Sequence, residues 1–225
     1  FLLRGDFSRQ LKFLLAFSGA FLIGITFLSL APEVFEHPPA NIGLFILGGF
    51  LLQVLLELIT DGAEHGHKHQ HHDGEKVSPF LLLTGLSIHA FLEGMPIQGD
   101  FSSQLEMTLV YGIIIHNIPI SLTLVGLFLH YGCTRLKTVL YLSLFAVMTP
   151  LGSTFSNFLD ATVVASMEHY FKYILAVVIG IFLHVSTSIL FETEENHRYN
   201  LWKFLTVCAG ILVAFLVAHP HVHVH

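Results

Sequence analysis

Charge is what this chain has least of: Asp, Glu, Lys and Arg make up 12% of 225 residues, about half the share usual in a soluble protein. Ten Lys and Arg stand against 16 Asp and Glu for a net charge of −6, which leaves no basic surface for nucleic acid. Cysteine is nearly missing as well. Cys133 falls at a helix end and Cys208 inside an apolar run, without a partner motif, so a disulfide scaffold is disfavoured and a buried thiol serves as a small hydrophobe. Alternation of apolar and polar residues is absent, which disfavours a transmembrane β-barrel. What the chain does have is hydrocarbon, at 53% hydrophobic residues and a mean hydropathy of +0.70. A soluble enzyme is disfavoured by the same figures, and the chain reads as an all-α polytopic membrane protein.

A membrane-spanning helix needs roughly 20 mostly apolar residues. Seven windows meet that length: Leu11–Ala31, Ala40–Ile59, Pro79–Ile97, Met107–His130, Leu136–Phe158, Tyr170–Phe191 and Leu201–Ala218. Together they predict one transmembrane domain over residues 1–225, a helical bundle of seven visible spans. The chain begins on Phe1 rather than Met, and the stub Phe1-Leu2-Leu3-Arg4 reads either as the tail of a removed first helix, giving eight spans in the complete chain, or as the end of a cleaved signal peptide. Threading the spans back and forth puts Arg4, Arg9, Lys12, Lys68, Lys76, Arg135, Lys137, Arg198 and Lys203 on one side and Lys172 alone on the other. The rule that positive loops stay inside makes the first side cytoplasmic and puts the visible C-terminus outside. The expected location is the plasma membrane, or the inner membrane of a Gram-negative cell.

The cytoplasmic loop at 61–78 holds His65, His67, His69, His71 and His72 with Glu64, Asp73 and Glu75. Neutral imidazoles beside carboxylates are ligands for Zn²⁺ and similar ions, and a flexible loop can chelate without a preformed cage; the competing reading is a solvated linker. The extracytoplasmic tail at 219–225 carries His219, His221, His223 and His225, either as a metal-capturing arm or as residues added to the protein.

Polarity is expensive inside the bilayer, so the ionisable residues there are the candidates for function. They are His89 and Glu93 in the third window, His116 in the fourth and His184 in the sixth, with Glu57 near the cytoplasmic end of the second. His89 and Glu93 are four apart and share a helix face. Counted inward from the expected starts at Pro79 and Met107, His89 and His116 reach similar depth on neighbouring antiparallel helices. Two imidazoles and one carboxylate can therefore converge. Pro96, Pro119 and Pro150 free the carbonyls of Leu92, Ile115 and Ala146, either as ordinary kinks or as cation-binding breaks lining a cavity. Ser29 is a candidate for the entrance, while Glu57 and Asp61, four apart, lead toward the His-rich loop and suit an exit path or a solvated helix end. His184, near Ser186, Thr187 and Ser188, is open to three readings: a third imidazole, an exit ligand, or a ring paired with a hydroxyl. Gly19, Gly24, Gly48 and Gly49 are expected to permit close helix packing.

At these residues the chain resembles a family. Ser18-Gly19-Ala20-Phe21-Leu22-Ile23-Gly24, running to Pro32-Glu33, is similar to the second transmembrane helix of the ZIP (Zrt/Irt-like) metal transporters. His89-Ala90-Phe91-Leu92-Glu93-Gly94 resembles the fourth-helix pattern His-Asn-x-x-Asp/Glu-Gly, and His116-Asn117-Ile118-Pro119-Ile120-Ser121 the fifth-helix pattern His-Glu-x-Pro-His-Glu. Thr149-Pro150-Leu151-Gly152 is similar to the Pro-Leu-Gly of the sixth. The resemblance implies movement of Zn²⁺, or of Fe²⁺ or Mn²⁺, toward the cytoplasm, with His89, Glu93 and His116 as primary ligands and no enzymatic role. Ala90, Asn117, Ile120 and Ser121 depart from the pattern, so a second, carboxylate-rich position looks dismantled. Asn117 is either a further ligand or a partner in an interhelical hydrogen bond. The implied partners are a divalent metal ion, the lipid bilayer and, as an open option, a second copy of the chain. Two rivals remain: a membrane zinc hydrolase with zinc on His89, His116 and His184 and Glu93 as general base, and a transport-deficient relative that senses metal.

Overall fold

The computed structural model describes residues 5–60, 79–99, 101–162, 170–192 and 201–219. Lipid offers no hydrogen bonds, so a spanning backbone must satisfy its own polar groups, and among the described residues every long apolar stretch is helical. The helices are α1 (Gly5–Ile25), a π-helical turn (Thr26–Leu30), α2 (Ala31–Glu36), α3 (Ile42–Thr60), α4 (Pro79–Gly94), α5 (Ser103–His130), α6 (Arg135–Thr162), α7 (Tyr170–Glu192) and α8 (Leu201–Ala218). Six stretches are long and apolar enough to cross a membrane, and Pro79–Gly94 is a shorter apolar helix. The chain is an all-α polytopic membrane protein. The His-rich loop at 61–78, Asp61, and the tail beyond His219 lie outside the described residues.

Most helix boundaries fall within a few residues of the expected windows, and the exceptions have local causes. The first span is a continuous rod over Gln10–Glu36 with the π turn inside it. Pro32 has no N–H to close an ordinary helical turn, and just before it the Ala31 N–H reaches the Thr26 carbonyl, so the widened turn absorbs the proline without breaking the rod. Ser29, the expected entrance residue, sits half-buried in that turn. The third window was expected to run to Ile97 with Pro96 as a kink. Instead α4 stops at Gly94, and successive turns follow through Met95 N–H to Leu92 O (3.2 Å) and Gly99 N–H to Pro96 O (3.1 Å). Pro96 lies past the helix end, and the Leu92 carbonyl is occupied by Met95. Pro119 and Pro150 lie inside continuous helices. The fifth helix begins four residues before the expected start, because the Ser102 side chain accepts a hydrogen bond from Leu105 N–H (3.3 Å) and caps it. It ends where Gly132 takes φ +80, a conformation glycine adopts without strain, and the short turn sends α6 back beside it.

Three contacts join helix ends that an alternating threading brings to one side. Lys172 Nζ donates to the His37 carbonyl (3.5 Å), Gln104 Nε2 to the Val217 carbonyl (2.7 Å), and Asn157 Nδ2 to Gln98 Oε1 (3.0 Å).

The most extensive packing pairs are α3 with α7, α1 with α8 and α4 with α6. Glycine permits all three, with Gly24 meeting Ala214 and Gly210 meeting the Phe17 backbone where α1 packs on α8. A Cβ on Gly49 would strike the Val177 backbone and one on Gly180 the Ile46 backbone, so α3 and α7 approach through reciprocal glycines. Gly94 and Gly152 do the same for α4 and α6, against Thr149 and Phe91. Gly19 and Gly24 also meet neighbouring side chains, as expected of packing glycines, whereas Gly48 faces open space. That expectation fails for Gly48 because it lies a residue away from the seam, on the outward face of α3.

The outer surface is far more apolar than that of a soluble protein. On α3 the outward residues include Leu44, Leu47, Leu51, Leu55 and Leu58, while Gln53 and Thr60 are fully buried. An exposed apolar girdle with polar groups inside is the arrangement a hydrocarbon solvent requires. Two apolar clusters form the interior. One gathers residues of α1, α3, α5, α7 and α8; the other belongs to α4, α5 and α6. Helix α5 contributes to both, with Leu109 and Ile113 in the first and Ile120 and Leu124 in the second. His116 falls between those two sets, so the polar groups on α4 and α5 meet at the seam.

Candidate metal centre

Helix α4 carries His89 and Glu93 one turn apart, and His89 Nε2 lies 2.9 Å from Glu93 Oε1. From α5, His116 Nε2 approaches the same oxygen at 3.9 Å. The two imidazoles stand edge to face, their centroids 5.8 Å apart and their planes at 72°. All three side chains are completely buried, and each offers a ligand atom within 4.8 Å of the others. Ligands of a tetrahedral zinc, each ~2.0–2.1 Å from the ion, lie about 3.3 Å from one another, so small side-chain adjustments would close the triangle on a cation. Glu93 Oε2 is buried and accepts no hydrogen bond. A buried carboxylate oxygen without a partner is costly and is chemically suited to a cation.

The fourth expected residue, Asn117, stands next to His116 and is turned about 100° round the helix from it. It is half-buried, and its Oδ1 is buried without a hydrogen-bond partner. Among the described residues, Oδ1 makes no interhelical hydrogen bond.

His184 lies elsewhere. Its Nε2 is 3.3 Å from Glu57 Oε2, an ion-pair contact between α7 and α3, and its ring packs edge-on against Phe50 with centroids 5.0 Å apart. The nearby hydroxyls are engaged along their own helix: Ser186 donates to the Phe182 carbonyl, and Thr187 to the carbonyls of Leu183 (2.7 Å) and His184 (2.9 Å). The ring's contact across the helices is with the Glu57 carboxylate. The cluster of His89, Glu93 and His116 does not include His184, so the three imidazoles of the hydrolase reading are not brought together.

Sequence reasoning overlooked Gln53. Its amide is fully buried in α3 and its Oε1 lies 2.9 Å from His89 Nδ1. The signal was present, since Gln53 is four residues before Glu57 and interrupts an otherwise apolar run.

Similarity to known proteins extends over most of the chain. The family model described as "ZIP Zinc transporter" matches residues 60–218, well over half of the chain. The chain is 26% identical over 228 residues to Zinc transporter ZIP13 of Pongo abelii, covering 92% of this chain and 66% of that protein. It is 30% identical over 125 residues to Zinc transporter ZIP4 of Rattus norvegicus, covering 55% of this chain and 18% of that one. The chain thus spans less than two thirds of the length of either relative. A matching profile that runs from the end of α3 through α8, together with helical spans in the order the motifs require, leads to one conclusion: this chain belongs to the ZIP zinc transporter family.

Proposed function

We propose that the protein carries a divalent metal ion of the zinc class, Zn²⁺ or else Fe²⁺ or Mn²⁺, across the bilayer toward the cytoplasm, holding it in transit on His89, Glu93 and His116. The observation that carries this reading is the burial of two imidazoles and a carboxylate, their ligand atoms within 4.8 Å of one another, among apolar helices. Intramembrane ionisable groups are retained where they handle ions or protons. With two neutral imidazoles and one carboxylate, a bound dication leaves the site at net +1, so the ion is held weakly enough to depart, as conduction requires. Asn117 Oδ1, buried without a partner, is a further oxygen ligand in this reading. His and carboxylate ligands suit several first-row ions, and raw affinity does not choose among them.

The charge split of the loops gives the orientation, with 61–78 and its histidines in the cytoplasm and the C-terminus outside, and movement toward the cytoplasm is what the resemblance to the ZIP family implies. Glu57 and His184 then stand on the exit side of the centre, next in line toward that loop. Transport is favoured over hydrolysis because the cluster is fully enclosed, whereas a hydrolase needs an open coordination position reached by its substrate.

Metal uptake into proteoliposomes tests the proposal. A zinc-dependent rise in the wild type that disappears in His89→Ala supports it. Zinc binding without flux in the wild type contradicts it and favours a sensor, and turnover of lipid by the purified protein favours a hydrolase. Glu57→Ala is expected to slow uptake by a few fold, since it removes one weak contact on the exit path, while leaving zinc affinity at His89 within twofold of wild type; equilibrium binding measured beside initial rates checks both.

A further inference from the structure

We infer that Gln53 is a positioning residue that holds the His89 ring with its Nε2 lone pair turned into the metal centre, and that its neutrality sets how quickly the centre releases its ion. The inference rests on the metal-centre reading above.

Gln53 lies on the inward face of α3, a helix whose outward face is leucine, and none of its surface is exposed. A primary amide taken that deep costs free energy unless its groups are hydrogen-bonded. Its Oε1 is 2.9 Å from His89 Nδ1. A carbonyl oxygen can only accept, so the proton of this contact belongs to Nδ1, which donates it to Gln53. The other ring nitrogen, Nε2, is the one 2.9 Å from Glu93, and with Nδ1 protonated it is the nitrogen that can offer a lone pair to a cation. Metal-binding histidines are commonly fixed in this way, with the second ring N–H given to a carbonyl or carboxylate that sets tautomer and ring angle. Here the acceptor comes from a third helix, so α3 contributes to a centre whose three ligands are on α4 and α5.

The kind of acceptor matters as much as its position. A carboxylate opposite Nδ1 would make the imidazole a stronger ligand and bring the loaded centre from net +1 to neutral. An amide orients the ring without adding charge. A transit site needs this, since a tightly held ion does not leave.

Initial rates of zinc uptake by the full chain in phosphatidylcholine vesicles distinguish the roles. Gln53→Met keeps length and packing but leaves only a weak sulfur acceptor, and is expected to raise KM about 10- to 100-fold. Gln53→Glu keeps the acceptor and adds charge, and is expected to lower KM and kcat together, each by about tenfold or more. A merely structural amide would not give opposite KM changes in two variants with the same melting temperature. Proton–nitrogen NMR on isotope-labelled histidine, with the His89 signal assigned by its loss in His89→Ala, is expected to find the proton on Nδ1 in the zinc-loaded protein. A KM within twofold of wild type in both Gln53 variants, with uptake abolished in His89→Ala, overturns the inference and leaves the metal centre standing. A proton found on Nε2 of zinc-loaded His89 also overturns it. Unchanged uptake in His89→Ala removes the centre itself, and the inference with it.

Discussion

Zinc uptake is expected to fall at least about a thousandfold in Glu93→Gln, with the helical bundle intact. Glutamine matches the shape of the side chain but removes the centre's one formal negative charge, so a bound dication would sit at net +2 in a fully buried site. Removing one partner from a buried charge pair costs about 3–5 kcal/mol because the remaining charge is left uncompensated, and about 4 kcal/mol is roughly a thousandfold in binding. The variant separates charge from packing. Circular dichroism and melting in detergent should match wild type, while flux is lost across all accessible zinc concentrations. An uptake rate within tenfold of wild type would mean that the ion passes by another route.

The second large effect is expected at a residue that touches no metal. Gly94 follows Glu93 directly, and a side chain there would meet the Thr149 backbone of α6. Gly94→Val must push α4 away from α6, and because backbone rather than a flexible side chain stands in the way, the loss of stability is expected at about 3 kcal/mol, the upper end of what overpacking costs. Glu93, carried on the same turn, moves with it, so the melting temperature and the uptake rate fall together. Gly48→Val is the matched control: open space surrounds that position, and the substitution is expected to stay within about 0.5 kcal/mol of wild type. Equal losses at both positions would show that glycine matters here for helix flexibility rather than for close approach.

Much of the fold was legible because a bilayer makes hydropathy nearly sufficient: a long apolar run has to close its own hydrogen bonds, and the helix is how a lone segment does so. What escaped was set by features hydropathy does not record. The π turn at Thr26–Leu30 lies in a mostly apolar stretch too short for a period longer than 3.6 to leave a pattern, and only Pro32 hinted at it. The early end of α4 at Gly94 was hidden because Met95, Pro96 and Ile97 are as apolar as the helix they follow. At the centre, the pairing of His89 with Glu93 could be read from a spacing of four, which is local geometry. The meeting with His116 needed only an estimate of depth on two neighbouring helices. The partners of Gln53 and His184 could not be read at all, since each reaches a residue on another helix whose rotation about its axis is fixed by tertiary packing. The glycine seams explain why: the α3–α7 contact through Gly49 and Gly180 turns Gln53 and Glu57 inward, and no single helix contains that information.

The most direct test is to locate the ion. Crystals or frozen particles of the protein soaked with zinc, examined by element-specific anomalous scattering or by density at high resolution, should place a peak within about 2.0–2.3 Å of a His89 nitrogen, a His116 nitrogen and a Glu93 oxygen. Metal found only on surface histidines, with the space between α4 and α5 vacant at saturating zinc, would contradict the proposed route through the membrane.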